Sequence, residues 1–186
     1  MKFEILKKED FTTNRWSGGD TTEFYIYPEN RSYKEREFLF RLSRATIEIE
    51  KSDFTPLHNV KRKLFLLDGQ LELIHENHHS KLLNPLEFDT FSGSWNTKSI
   101  GKATDFNLMM KGNTSGHYSC IQTKNKVRVS ESLMSDFTFI YVIKGNLNVP
   151  GSKLNQGDLV KITKNSYEFP LELEANSKIL IIKINL

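Results

Sequence analysis

Apolar and polar residues alternate along most of this chain with a period of two, in short runs broken by turn residues, and no amphipathic stretch extends to three turns of helix. A period of two sends successive side chains to opposite faces of an extended strand. The pattern predicts strands at 2–6, 21–27, 37–50, 62–75, 86–91, 105–111, 117–129, 136–149, 157–163 and 177–185. Between them lie Gly18-Gly19-Asp20, Asp68-Gly69, Lys144-Gly145-Asn146, Pro150-Gly151 and Gly157-Asp158, residue pairs that favour tight turns. Many short strands with this punctuation specify an all-β barrel or sandwich.

Two parts of the chain share a pattern. Leu66-Leu67-Asp68-Gly69-Gln70-Leu71-Glu72-Leu73 and Val142-Ile143-Lys144-Gly145-Asn146-Leu147-Asn148-Val149 both read as two apolar residues, a charge, Gly, an amide and then alternation. Each predicts a hairpin. Chance recurrence of a common hairpin explains the pairing as readily as duplication does. Gly112-Asn113-Thr114-Ser115-Gly116 is the best candidate for a flexible linker between two halves.

Composition narrows the picture. A length of 186 residues can bury one large core or two small fused barrels. With 38% hydrophobic and 26% charged residues the chain is an ordinary globular one, and its 13 Phe predict an aromatic core. The 26 Lys and Arg are scattered and nearly balanced by 23 Asp and Glu, for a net +3; nucleic-acid binding normally needs a concentrated basic surface, so none is expected. Cys120 is the only cysteine, which excludes an intrachain disulfide and a Cys-based zinc site; in an apolar strand it reads as an inert buried thiol. Residues 1–10 hold no apolar run suited to a signal peptide, and no segment approaches the roughly 20 apolar residues of a membrane span. The expected setting is the cytoplasm, with no membrane partner.

Four blocks in order carry a family resemblance: Trp16-Ser17-Gly18-Gly19-Asp20-Thr21-Thr22-Glu23, Phe38-Leu39-Phe40-Arg41-Leu42-Ser43, Phe54 through Arg62 to Leu66-Leu67-Asp68-Gly69, and Asp105-Phe106-Asn107-Leu108-Met109. Together they resemble the HutD/Ves family of the cupin superfamily. They cover residues 16 to about 111, whereas the rest resembles the family only through the cupin hairpin. The turn after Trp16 is about two residues shorter than in histidine-utilisation members, and His58-Asn59 replaces the usual Pro-Gly. The resemblance implies a bicupin, two fused double-stranded β-helix (jelly-roll) barrels with little helix. One barrel is expected at 1–111 and the other at 112–186, with strands exchanged between them. It also implies a possible homodimer, and a small carboxylate as ligand in the histidine-utilisation members.

The five histidines are His58, His75, His78, His79 and His117. Metal-dependent cupins need a His-x-His…Glu…His set, and none is present. His75, His78 and His79 read as an exposed hairpin loop able to collect metal only adventitiously, so no metal and no cofactor are expected. Alternation does bring polar groups together. Thr21 and Glu23 share a face, as do Arg41 and Ser43, and Asp105 and Asn107. Arg41 can clamp a carboxylate with its planar fork or simply pair with Glu23. Arg62 can reach a barrel mouth or lie on the surface. Asp105 and Asn107 fit backbone hydrogen bonding at turns and strand ends better than ligand binding, although Asn107 is retained as a candidate. Trp16, beside Gly18-Gly19, can pack or act as a lid. The candidate ligand site is therefore Arg41, Glu23, Thr21, Ser43, Arg62, Trp16 and Asn107, with no catalytic residue assigned.

The first functional expectation is a non-catalytic protein that senses a small anionic metabolite, with Arg41 as the carboxylate anchor and Thr21, Glu23 and Ser43 as supporting polar groups. The second is a metal-independent isomerase or epimerase with Glu23 as general acid/base. The third is an interaction module with a vestigial pocket.

Overall fold

The computed structural model describes residues 3–164 and 168–186. It is all-β and contains two compact units, Thr12–Thr114 and Met1–Phe11 with Ser115–Leu186. Residues 3–11 thus belong with the C-terminal half, where β1 (Phe3–Leu6) pairs with β17 (Leu159–Thr163). Lys2, the first residue of the predicted strand 2–6, lies outside the described residues. The expected linker at 112–116 is a tight turn instead, because Thr114 N–H donates to Lys111 O at 3.1 Å and only Gly112–Thr114 separate two strands.

The unit Thr12–Thr114 consists of two sheets. One has the order β2 (Thr12–Trp16), β3 (Gly19–Tyr27), β4 (Phe40–Ile47), β11 (Ala103–Lys111), β6 (Val60–Gly69), β9 (Phe88–Ser92). The other runs β5 (Lys51–Asp53), β10 (Thr97–Ile100), β7 (Leu71–His75), β8 (Ser80–Leu83). Leu64, Leu66, Leu71, Leu73, Leu83 and Phe91 form its central core. Phe24 stacks on Phe106 at 5.3 Å on the opposite face of the larger sheet, where alternation sends Phe40 and Leu42 as well.

The other unit repeats this plan. Its sheets run β12 (Ser115–Gln122), β19 (Lys178–Asn185), β14 (Phe137–Lys144), β17, and β13 (Val127–Ser132), β18 (Glu168–Leu173), β15 (Asn146–Val149), β16 (Ser152–Asn155). Strands four to eleven and twelve to nineteen therefore pair in the same order in both units, the eight-strand jelly-roll arrangement. The two similar sequence hairpins occupy the same place in it, β6–β7 and β14–β15. Gly69 and Gly145 turn them with φ of +84° and +76°, a region that costs a side chain. The interior here is a continuous apolar cluster of Ile140, Val142, Leu147, Leu154, Val160, Phe169, Leu171, Ile179 and Ile181. Cys120, expected buried, is half-exposed on β12; partial burial still pushes its thiol pKa up, so it stays protonated.

Among the described residues, six strands escaped the sequence pattern: β2, β5, β8, β10, β16 and β18. Most are short, β2 is exposed throughout, and β18 contains Pro170. No helix among the described residues is long and apolar enough to cross a membrane.

Candidate functional site

The concave face of the larger sheet in Thr12–Thr114 bounds a cavity of about 780 Å³, within the roughly 300–1,000 Å³ of small-molecule sites. Strand register sets its floor as three rows. Thr21, Ala45, Asp105 and Leu66 lie side by side across β3, β4, β11 and β6, and Glu23, Ser43, Asn107 and Leu64 form the next row. Arg41, Met109 and Arg62 form the third. A register shift between Glu23 and Tyr25 interrupts the β3–β4 ladder just where the Glu23 carboxylate meets Arg41. Trp16 ends β2 at the rim, while Tyr33 and Phe54 contribute from the segments before β4 and after β5.

All seven candidates, Trp16, Thr21, Glu23, Arg41, Ser43, Arg62 and Asn107, line this one cavity. Their chemical states differ. Arg41 is engaged: its Nε donates to Glu23 Oε2 at 2.6 Å, its Nη1 donates to Ser43 Oγ at 3.0 Å, and its guanidinium lies 4.2 Å from the Tyr33 ring centre. Glu23 is thereby committed to an ion pair. Trp16 is 37% exposed, and its ring covers Gly18 so closely that a Cβ there would fall 2.2 Å from it. Gly18 is needed for that contact.

Arg62 is not a surface charge. It is 5% exposed, with its guanidinium 4.6 Å from the Phe54 ring centre and 5.2 Å from that of Phe91. Its buried Nε has no hydrogen-bond partner among the described residues. Asp105 Oδ1 and Asn107 Oδ1, also buried, are equally unsatisfied. Neither side chain serves a turn or strand end, contrary to the reading of the sequence favoured for both. Both residues sit within β11, whose backbone is paired on both sides by β4 and β6, and their side chains point into the cavity. A buried polar atom without a partner costs about 1–3 kcal/mol; three together in one cavity mark a place built for a polar guest.

Burial moves two of these groups. It lowers the Arg62 pKa to about 10, against the raising effect of Asp105, so the guanidinium stays charged at neutral pH. It lifts Asp105 to about 7, against the opposing pull of Arg62. Near neutrality the Asp105 carboxyl is divided between an acid that can donate a hydrogen bond and an anion. The cavity thus presents one spare guanidinium, one titrating carboxyl and one free amide oxygen. Asp105, Tyr33 and Phe54 were absent from the sequence-derived site. The spacing of Asp105 and Asn107 was a usable signal for the first, while nothing in the irregular segments placed the other two.

The histidines also need correction. His75 is not in a solvated loop but is 2% exposed, since it ends β7 with its ring 4.4 Å from Phe91. His58, His78, His79 and His117 are exposed.

The HutD family model matches residues 8–181. Among solved structures, a conserved protein of unknown function, PA5104 from Pseudomonas aeruginosa PAO1, superposes with a TM-score of 0.81 at 16% identity over 100% of each chain. HutD from Pseudomonas fluorescens SBW25 (formate condition) gives 0.76 at 19%, covering 99% of this chain and 98% of that one. The bacterial pirin YhhW from Escherichia coli, in complex with nickel(II), gives 0.74 at 10%, covering 98% of each. At such identities the structures speak for the fold alone. No curated protein matches the chain in sequence. Because the family match spans nearly the whole length, the chain belongs to the HutD family.

Proposed function

We propose that this cupin binds a small carboxylate metabolite in the Thr12–Thr114 cavity, with Arg62 as the anchor, and acts as a sensor, not an enzyme. The observation that carries the reading is the buried Arg62 guanidinium, whose Nε lacks an acceptor among the described residues. A guanidinium offers a fork of donors that matches two carboxylate oxygens. Protonated Asp105 donates a further hydrogen bond to the guest, and Asn107 Oδ1 accepts one from a hydroxyl or amide on it. Arg41, held by Glu23 and Ser43, shapes the wall and supplies no free charge. Trp16 covers the rim. Family membership favours carboxylates of histidine utilisation such as urocanate, formylglutamate and formiminoglutamate, and a regulatory role in that pathway.

A thermal-shift screen with these acids, sugars and divalent metals tests the reading, because a ligand of the native state raises its melting temperature. A shift for one carboxylate, lost in Arg62→Ala and kept in Glu23→Gln, supports it. A flat response to every carboxylate contradicts it and favours an interaction module with a vestigial pocket.

One observation favours a second reading. Asp105, buried on the cavity floor and titrating at about 7, has the acidity of a general acid/base. Turnover of any screened acid or sugar that Asp105→Asn abolishes would make the protein a metal-independent isomerase or epimerase.

A further inference from the structure

A second polar cluster lies outside the carboxylate cavity and shares none of its lining residues. The turn between β7 and β8 brings His75 and His79 together: His75 N–H donates to His79 O at 2.8 Å, His78 N–H donates to His75 O at 3.0 Å, and Asn77 closes the turn with φ of +62°. Asp89 on β9 faces both imidazoles. Its Oδ2 is 3.1 Å from His75 Nε2 and 2.9 Å from His79 Nε2, and the three ligand atoms lie within 4.8 Å of one another.

Two of the three groups have their remaining atom held elsewhere. Asp89 Oδ1 accepts the Thr90 N–H at 2.8 Å. His75 Nδ1 is 2.8 Å from Thr97 Oγ1, and that hydroxyl is 3.4 Å from the Trp95 carbonyl. When Nδ1 carries the ring proton it donates to Thr97, Thr97 donates to Trp95, and the Nε2 lone pair is left aimed at Asp89. Such an outer partner is what orients a ligating imidazole.

We propose that His75 Nε2, His79 Nε2 and Asp89 Oδ2 form a binding site for Zn²⁺. Two imidazoles and a carboxylate are a recognised three-ligand set for zinc, with bonds of about 2.0–2.2 Å. The two N–O separations, 3.1 and 2.9 Å, are a few tenths of an ångström shorter than the edge of a tetrahedron of that size, so Asp89 need draw back only slightly from the imidazoles to admit the ion. The donor set is wrong for Mg²⁺ and Ca²⁺, which take oxygen. His79, with 41% of its side chain exposed, leaves the fourth position open to water or an anion, whereas His75 is enclosed by Phe91 and Trp95.

The charge states agree. Burial holds the His75 pKa below its ordinary value. Burial opposes ionisation of Asp89, but hydrogen bonds from His79, His75 and Thr90 outweigh it and lower that pKa. At neutral pH the cluster thus offers neutral His75 and ionised Asp89. Binding moves the Nε2 proton of each imidazole, otherwise donated to Asp89, to that ring's own Nδ1, and two N–Zn bonds and one O–Zn bond replace the two hydrogen bonds to Oδ2.

Titration of the chelator-stripped full chain with Co²⁺, followed in the visible range, tests the site, with Zn²⁺ displacing it. The expected result is one equivalent of Co²⁺ giving d–d bands of a four-coordinate N/O site, lost in His79→Ala and in Asp89→Asn and retained in His78→Ala. Thr97→Val weakens binding about 10–100-fold, and Thr97→Ser restores it. In the unmutated protein Zn²⁺ protects His79 from diethyl pyrocarbonate, so the test does not depend on every variant folding. No saturable Co²⁺ binding, or binding undiminished in His79→Ala, overturns the proposal; binding lost only in His78→Ala or His117→Ala marks surface pick-up and overturns it too.

Discussion

The two jelly-roll units share strand order but not interior chemistry. Superposing the hairpin glycines, Gly69 on Gly145, sets Arg62 against Thr138, Leu64 against Ile140 and Leu66 against Val142. The ladders then set Asn107, opposite Leu64, against Ile181, opposite Ile140, and Asp105, opposite Leu66, against Ile179, opposite Val142. Arg41 falls against His117, an exposed position. One unit fills the positions of Asn107 and Asp105 with isoleucine, keeps only the buried Thr138 hydroxyl at that of Arg62, and stands on a continuous apolar core. The other keeps a guanidinium, a carboxyl and an amide there around an open cavity. The comparison teaches that the backbone plan tolerates both. The unit with three unsatisfied polar groups in its cavity, against the single Thr138 hydroxyl of the other, gives up more stability at those positions, and a bound guest restores it.

Exchanging equivalent residues breaks the comparison most strongly. Ile181→Asn removes buried aliphatic volume and buries an amide without partners, so the loss of unfolding free energy in urea is about 4 kcal/mol or more. Asn107→Leu changes stability by no more than about 1 kcal/mol, since an unpartnered group is replaced by an apolar one beside open space. Equal losses would show that the two interiors are not different in kind.

Next in size is the pH dependence carried by Asp105. Its carboxyl rises from an ordinary 3.8 to about 7 in the folded chain, so over that window the folded state keeps a proton that the unfolded state has lost. Stability contributed by the protonated carboxyl is complete below 3.8 and disappears as pH climbs through about 7. The change is on the order of 4 kcal/mol at 1.36 kcal/mol per unit. Urea unfolding of Asp105→Asn should lack it and show greater stability than wild type at pH 8. A parallel pH profile in the variant would remove Asp105 from the account.

The hairpin glycines sharpen the likeness of the units. Gly69→Ala and Gly145→Ala should each cost about 1–3 kcal/mol in thermal or urea unfolding. A Cβ at Gly69 would lie 2.4 Å from the Lys102 carbonyl oxygen, and one at Gly145 would lie 2.4 Å from Ser177 Oγ. The two losses should be comparable, since each Cβ would also lie 2.9 Å from a backbone Cα, that of Ala103 or that of Ser177.

Much of this was legible in the sequence, for a physical reason. Where one face of a strand is buried, alternation appears, so β3, β4, β11 and the paired hairpins could be read, and with them the shared faces of Thr21 with Glu23 and Arg41 with Ser43. Strands such as β2 and β8, exposed on nearly all of their length, carry no such signal. Nor does alternation tell which arginine is consumed by a partner. Arg41 and Arg62 look alike along the chain, and only the position of Glu23 in space separates the bound fork from the free one. His75 was misread because its neighbours His78 and His79 are polar, whereas its ring belongs to the last inward-facing position of β7. Asp105 was read as a turn residue because a carboxyl is seldom buried.

Isothermal titration calorimetry of the best carboxylate against wild type, Arg62→Met and Arg41→Met, at pH 6 and pH 8, tests the central claim most directly. The account predicts binding to wild type that weakens from pH 6 to pH 8 as Asp105 ionises, and no measurable binding to Arg62→Met. Arg41→Met should retain binding within about tenfold, because its charge is already matched by Glu23. Full affinity in Arg62→Met, or a loss confined to Arg41→Met, would contradict the assignment of Arg62 as the anchor.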